Sequence, residues 1–574
     1  MADISVSTLA RTAIALAAIA TPTLLAYNVA PSPTFLNQAL ALGLWGVWLA
    51  LAQPAWPLRR GVGPLLAALA LLMGTALVSW GNGGLPAGLA GSGFALLLAA
   101  ALVSTGGAGA HARGDALPWF TAFCWALLIT GALNLGVAAV QVFMPQWTGD
   151  WIATSGIPGR AVGNLRQPNH LSSLLLWSCI AVVALQELRR LTLRWAVLAM
   201  AALVFAVVLT ASRTGLVSVL LLGLWGLVDR RLSKPTRALL LAAPLMYALA
   251  WWGMAQWASA SAHDFGGTAR LAESDISGSR FGIWKNTWAL ILAQPWTGVG
   301  FGQFNFAWTL TPFPGRPTAF FDHTHNLPLQ LAVELGLPLA GLIMGLLLWA
   351  LGRAAWLAWR AQGDASTAQR CAVMMVLMIG LHSLLEYPLW YSYFLLPTAW
   401  AFGFALRGVP PSGLSAEPAR PWLSWAAWAL LAGAIVSVWD YGRVAAIFSA
   451  EPGSPPLERR IASGQRSVFF AHHADYAAVT SNLAQADPAR AFDRTTHYLL
   501  DTRLMMAWAK SLAERGDLDA ARTLAARLRE FDKADAEDFF DACPVAAQPA
   551  AAGLPFQCEL PTTALGWTEF LPHK

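Results

Sequence analysis

Residues Phe320–Leu351 read FFDHTHNLPLQLAVELGLPLAGLIMGLLLWAL. Two histidines, His323 and His325, stand two apart beside Asp322, and an apolar run begins directly after them. An imidazole changes charge near neutral pH, and an ionisable cluster at the mouth of a membrane span is a functional candidate by default. The plainer reading is an interfacial loop whose histidines only meet solvent. Either way the run from 327 to 351 is long and apolar enough to cross a bilayer.

The rest of the chain follows that lead. Of its 574 residues 56% are hydrophobic and 12% charged, and the mean hydropathy is +0.51. A soluble domain carries about 25% charge. The 29 tryptophans suit the two bilayer interfaces, where amphipathic rings settle. A net charge of +6 reads as basic loops on one face of a membrane, not as a nucleic-acid surface. No GxxxxGK[ST] loop is present, so nucleotide hydrolysis has no support. The expected class is all-α: a polytopic membrane protein with about 12–13 transmembrane helices, a long periplasmic loop and a C-terminal soluble, tetratricopeptide-like helical domain.

Spans are expected near 9–27, 35–52, 63–80, 86–104, 118–142, 169–186, 193–210, 212–229, 236–257, 327–351, 370–386, 389–407 and 421–440. The first, around Ala13–Leu25, has only Arg11 before it as a basic residue and no clear cleavage site, so it reads as retained. Cys124, Cys179 and Cys371 fall in or beside spans and read as core. The basic loops test the threading. Arg59 and Arg60, His111 and Arg113, Arg189, Arg190 and Arg194, then Arg230, Arg231, Lys234 and Arg237 all fall on one side. Arg353, Arg360 and Arg370, then Arg407 and Arg420, fall on that side too. The positive-inside rule makes it the cytoplasm, which sends the N-terminus in and the C-terminal region out.

The opposite face carries GRAVGNLRQPNH (Gly159–His170), TASRTG (Thr210–Gly215) and a long interval from about 258 to 326. That interval holds SGSRFGIW (Ser277–Trp284), TGVGFGQF (Thr297–Phe304) and the histidine cluster. Arg160, Arg166, Arg213, Arg280, His323 and His325 thus map to extracytoplasmic ends of spans, where positive charge is disfavoured and needs a reason. The expected domains are 1–258 (transmembrane), 259–326 (periplasmic loop with the motifs), 327–440 (transmembrane) and 441–574 (periplasmic, helical). In the last, Leu504–Phe531 reads as a helical hairpin with a Gly-Asp turn, and His472–Leu500 as another pair of helices. Cys543 and Cys558 are either a disulfide, permitted outside the cytoplasm, or two free thiols.

The residue types suggest the chemistry. Guanidinium groups bind phosphate oxygens through paired hydrogen bonds. Arg213 and Arg280, with Arg166 as a third, suit a lipid-linked diphosphate. The alternatives are a snorkelling Arg213, an ion pair of Arg280 with Asp275 or Glu273, and a solvated Arg166. A neutral imidazole can take the proton of an attacking hydroxyl. His325 is the first candidate for that base and His323 the second, with Asp322 placed to orient either ring. Asn326, Gln167 and His170 are possible supporting groups. Glu334 reads as buried structure. His382 and Glu386, four apart, read as a polar pair or part of an outward cavity; a metal would need ligands the sequence does not supply. No cofactor is expected.

The order of motifs, GNLRQPNH, ASRTG, SGSRFGIW, TGVGFGQF, DHTHNLPLQLAVELG and HSLLEYPLWYSYFL, resembles the bacterial O-antigen ligase and polymerase superfamily. The NLRQPNHL and HSLLEYPLWY stretches are most similar to protein O-oligosaccharyltransferases of the PglL type, over about 160–400. The resemblance implies a glycosyltransferase at the outer face of the inner membrane. Its donor would be an undecaprenyl-diphosphate-linked glycan, and its acceptor Ser or Thr of a periplasmic protein such as a pilin, by metal-independent, inverting transfer. It implies His325 as base and Arg213 and Arg280 as diphosphate ligands. The rival readings are an O-antigen ligase acting on lipid A-core, an O-antigen polymerase, and a lipid-linked glycan transporter. A transporter would need no base and would line its path with charge, and the spans here carry little.

Overall fold

A computed structural model of the chain describes residues 7–52, 61–112, 115–261, 263–268, 276–407, 421–481, 487–543, 553–563 and 565–571. Arg59, Arg60, Arg113, Glu273, Asp275 and Arg420 lie outside the described residues. Among those described the secondary structure is helical, with no strand. Eight helices are long and apolar enough to cross a membrane: Phe35–Ala52, Gly63–Asn82, Ala87–His111, Ala116–Phe143, Pro168–Glu187, Lys234–Ser261, Leu337–Arg360 and Trp422–Phe448. Shorter apolar helices cover Thr8–Leu24, Leu193–Leu209 and Arg213–Val228. The protein is a multi-pass helical membrane protein.

Several expected spans differ, two of them by running on, Ala87–Ala112 and Pro421–Phe448. The run 327–351 is two helices, Leu327–Leu335 and Leu337–Arg360. They break at Gly336, whose φ of 75° suits a residue without a Cβ. A Cβ there would strike the Trp296 carbonyl, and one at Gly298 would strike the backbone of Glu334. The two glycines therefore let the Thr297–Gly302 loop lie flat on the end of the Leu327–Leu335 helix. The span expected at 370–386 runs Gly363–Ser383. The one at 389–407 shortens to Ser392–Ala405, after a 3-10 turn at Pro388–Trp390. The interval 258–326 is not all loop, since it holds the helices Ile276–Ala293 and Phe304–Leu310.

The chain divides into two compact units. The first is Met1–Leu69, Leu98–Ser274 and Gly345–Val438. Its Pro168–Glu187 helix is buried from Pro168 to Leu185 and packs on Ala116–Phe143, Leu193–Leu209 and Gly363–Ser383. Trp45, Trp48, Phe120, Phe123, Trp400 and Phe404 form an aromatic core, with the Trp45 and Trp48 rings stacked at 4.7 Å. Beside it Gly403 meets the Ser104 carbonyl so closely that no Cβ fits, the small-residue contact that lets membrane helices approach.

The second unit is Ala70–Leu97, Asp275–Met344 and Trp439–Lys574. One apolar core runs through it: Ile283, Phe304, Trp308 and Val333 from the middle of the chain pack with Leu504, Trp508, Leu524 and Phe531 from its end. The expected hairpin is present as Thr502–Glu514 and Leu518–Phe531, turning at Gly516 (φ 86°) and capped by Asp517. The helices Ala471–Thr480 and Pro488–Thr495 form the other expected pair. Cys543 and Cys558 are joined as a disulfide.

Arg316 fastens this core. Its side chain is 1% exposed and lies 3.4 Å from Glu530. It donates to the carbonyls of Trp308, Thr309 and Thr311 and sits 4.4 Å over Phe531 and 4.8 Å over Trp308. Burial outweighs the pairing on both sides: it pulls the guanidinium down to about 10 and pushes Glu530 up. The pair is thus held for its geometry more than for its Coulomb energy. Replacing Arg316 by Ala strands three carbonyls and leaves Glu530 with Arg527 alone, and should cost roughly 3 kcal/mol. Thermal unfolding in detergent, together with faster proteolysis of the C-terminal helices, would register it.

Histidines add a pH term. Burial lowers His473 and His497 from 6.5 to about 4. The unfolded chain therefore binds their protons first, and the stability they permit is full above about pH 6.5 and erodes as pH falls towards 4. Unfolding of this unit should become easier across that window. The His497→Gln protein, unfolded over the same pH series, should show a shallower decline.

Candidate functional site

Three of the motifs meet in the second unit. Asn326 caps the Leu327–Leu335 helix through Leu329 N–H at 3.0 Å, with Pro328 in the first turn. Thr324 Oγ1 donates to the Asn326 carbonyl (2.9 Å), and its N–H reaches Gln330 Oε1 at 2.8 Å. Trp284, from the SGSRFGIW stretch, donates its indole N–H to the Thr324 carbonyl at 3.0 Å. His325 is thereby held with φ 55°, left-handed backbone that non-glycine residues seldom adopt. Its ring stands edge-on to Phe321, centroids 5.7 Å apart.

Asp322 Oδ1 lies 3.1 Å from His323 Nδ1. Desolvation alone would raise the Asp322 carboxyl, but His323 by charge and hydrogen bond, with His325 adding charge, holds it below the ordinary carboxylate range. Asp322 thus stays anionic beside the two rings. Glu334 is buried as expected: it accepts Gln330 Nε2 at 2.9 Å, and burial pushes its carboxyl up despite donors from Gly302 and Phe304. TGVGFGQF is the other side of that contact, with Val299 N–H on the Val333 carbonyl and Gly300 N–H on that of Glu334. Arg280 lies one helical turn before Trp284 in the Ile276–Ala293 helix, so the two share a face.

The other three motifs meet in the first unit. Ser212 caps the Arg213–Val228 helix through Gly215 N–H, following Ala211 at φ 47°. Arg213 is exposed at its first turn. Gln167 caps the Pro168–Glu187 helix by accepting the N–H groups of Asn169 and His170. Asn169 then bridges: its Nδ2 donates to Glu386 Oε1 (3.0 Å) and its Oδ1 accepts from Ser212 (2.6 Å). Ser173 Oγ is 2.8 Å from His382 Nδ1, and the buried His170 ring stands edge-on to His382 and Tyr391. Arg160, buried, donates to the Thr210 carbonyl. Arg166, at φ 57°, donates to the Ala26 carbonyl.

His382 is the next-to-last residue of its helix and Glu386 lies past its end, though the Glu386 N–H still closes on the His382 carbonyl. The His382 ring thus faces Ser173, and the Glu386 carboxylate faces Asn169. Among the described residues no three of His, Cys, Asp and Glu gather as a metal-ligand set. Sequence reasoning passed over Asn169, Ser212 and Trp284. Asn169 and Trp284 stand inside quoted motifs, but their partners are far along the chain and leave no local mark.

Comparison with known proteins bears out the resemblance. The family described as O-antigen ligase matches residues 195–344, protein glycosylation ligase matches 161–185, and the C-terminal family of a virulence factor membrane-bound polymerase matches 371–540. A general O-oligosaccharyltransferase of Acinetobacter baylyi is 26% identical over 332 residues, 54% of each chain. A ComP-specific O-oligosaccharyltransferase of the same organism is 28% identical over 287 residues, 48% of this chain and 47% of the relative. The chain thus spans about half the length of the curated relatives it matches.

The Asn169 bridge makes a sharp prediction. Asn169→Asp keeps the shape but turns the donor facing Glu386 into an acceptor. It should destabilise the fold by about 2–4 kcal/mol, more than Asn169→Ala, as read by the thermal midpoint in detergent.

Proposed function

We propose that this chain is an O-linked oligosaccharyltransferase that moves a glycan from an undecaprenyl-diphosphate carrier to Ser or Thr hydroxyls of periplasmic proteins, pilins among them. The observation that carries the reading is His325, fixed at φ 55° on a turn locked by Thr324, Gln330 and Trp284, within the stretch that matches O-antigen ligase. Strained backbone held in place by its surroundings is a mark of functional sites. Relatives named as O-oligosaccharyltransferases support a protein acceptor.

In this mechanism His325 takes the proton of the acceptor hydroxyl as its oxygen attacks the anomeric carbon. The bond from that carbon to the diphosphate oxygen breaks, and the carrier diphosphate leaves with the electron pair. Attack from the opposite face inverts the centre. Arg213 and Arg280 bind the diphosphate and stabilise its growing charge, with Arg166 in a lesser role and His323 as the alternate base. Asp322, 3.1 Å from His323 Nδ1, serves to orient that ring. No metal ion is needed in this scheme. The basic loops support an inner-membrane threading with the N-terminus cytoplasmic and the C-terminal helices periplasmic, and a Cys543–Cys558 disulfide suits that compartment.

A second reading keeps the chemistry and changes the acceptor to lipid A-core or a growing O-antigen. It is favoured by the ligase and polymerase descriptions of the two longer matches. Intact-mass analysis of a co-expressed pilin separates the two: glycosylated pilin supports the first, and unmodified pilin beside glycosylated lipopolysaccharide supports the second. With purified protein and a lipid-linked donor, His325→Ala should lower transfer by roughly a hundred- to ten-thousandfold at an unchanged thermal midpoint. Full activity in that variant would remove His325 as the base.

A further inference from the structure

The segment Thr495–Leu500 belongs by sequence to the C-terminal helices, yet it is stitched to the histidine segment. His497 Nδ1 lies 2.6 Å from Gln303 Oε1, and its ring stacks on Phe306 at 4.5 Å. Leu500 N–H donates to Asn305 Oδ1 at 2.9 Å, and Asn305 Nδ2 donates to the carbonyl of Phe321 at 2.8 Å. Phe321 immediately precedes Asp322. Tyr498 stands between these two anchors.

Tyr498 is backed by polar rings. It lies 4.6 Å from His472 and 4.8 Å from His473, which are 4.2 Å from each other. Both histidines are buried, and His472 Nε2 has no hydrogen-bond partner among the described residues. Tyr498 itself is 45% exposed. Desolvation first, and the charge of Asp322 second, push its phenol up to about 12. It is therefore a neutral donor at physiological pH. The charge of Asp322 is felt by Tyr498 on one side and meets His325 on the other.

We infer that Tyr498 is a positioning residue for the transferred glycan: its ring face takes the apolar face of a pyranose, and its phenol shares a sugar hydroxyl with Asp322. The inference rests on the oligosaccharyltransferase reading above. A rigid aromatic with an apolar body and a wet polar tip suits such a ligand. The neighbouring carboxylate repels an anionic diphosphate but accepts hydroxyl protons, which selects the neutral, polyhydroxylated part of the donor.

The test uses the full chain in detergent with a lipid-linked oligosaccharide donor. Tyr498→Ala should raise KM for the donor about tenfold, from one lost ring contact and one lost hydrogen bond, while kcat and the acceptor KM stay within about twofold. Tyr498→Phe keeps the packing; it should raise donor KM by about threefold and blunt discrimination between donors that differ in one hydroxyl. Donor binding to the His325→Ala protein gives a readout free of turnover, and adding Tyr498→Ala should weaken it about tenfold. Unchanged donor KM and unchanged donor binding in both Tyr498 variants would overturn the inference, as would a change in acceptor KM alone. A wild-type protein that transfers to no acceptor, yet binds donor in a Tyr498-dependent way, would overturn the functional reading and leave this inference standing.

Discussion

The segment that carries the paired histidines is too short to bury an apolar core of its own, and everything about the second unit follows from that constraint. A few tens of residues do not remove enough surface from water to offset the cost of ordering them. The helices Ile276–Ala293, Phe304–Leu310 and Leu327–Leu335 therefore share one core with the hairpin Thr502–Phe531. The rings run in sequence from His325 to Phe321, from Phe321 to Trp308, and from Trp308 to Phe531. Arg316 lies over the last two and reaches Glu530. The local hydrogen bonds of the turn are thus backed by residues far along the chain.

The same local grammar is used in both units. A polar cap, followed at once or one residue later by proline, opens a helix at Gln167-Pro168 and again at Asn326-Leu327-Pro328. Capping satisfies N–H groups that a helix start leaves without partners. Proline at the first positions fixes φ where no N–H is missed. Just before or at these starts the backbone turns left-handed, at Arg166, Ala211 and His325. Three of the five non-glycine residues with positive φ thus fall in the motifs, where the surrounding hydrogen bonds hold the strain.

The membrane-spanning class was legible because a bilayer imposes length and apolarity on each helix separately. The hairpin near Leu504–Phe531 was legible for a similar reason, since its period and Gly-Asp turn are local. The break at Gly336 was not, because its cause is the approach of Trp296 and Gly298 from another segment. His325, Arg213 and Gln167 could be picked out by residue type and by resemblance. The Asn169 bridge to Ser212 and Glu386, and the Asn305 bridge to Phe321 and Leu500, could not. A side-chain amide signals nothing about a partner 195 or 217 residues away.

The link from Leu500 to Asn305 also has a temporal side. A ribosome emits Asn305 195 residues before it emits Leu500, with the histidine turn close behind Asn305, and Phe531 follows later still. During that delay the early segment lacks Phe531, the last ring of its series, and the donor that occupies the Asn305 amide. The support behind the turn is therefore finished last although the turn is made in the middle, and a nascent chain halted before the terminal hairpin lacks that support.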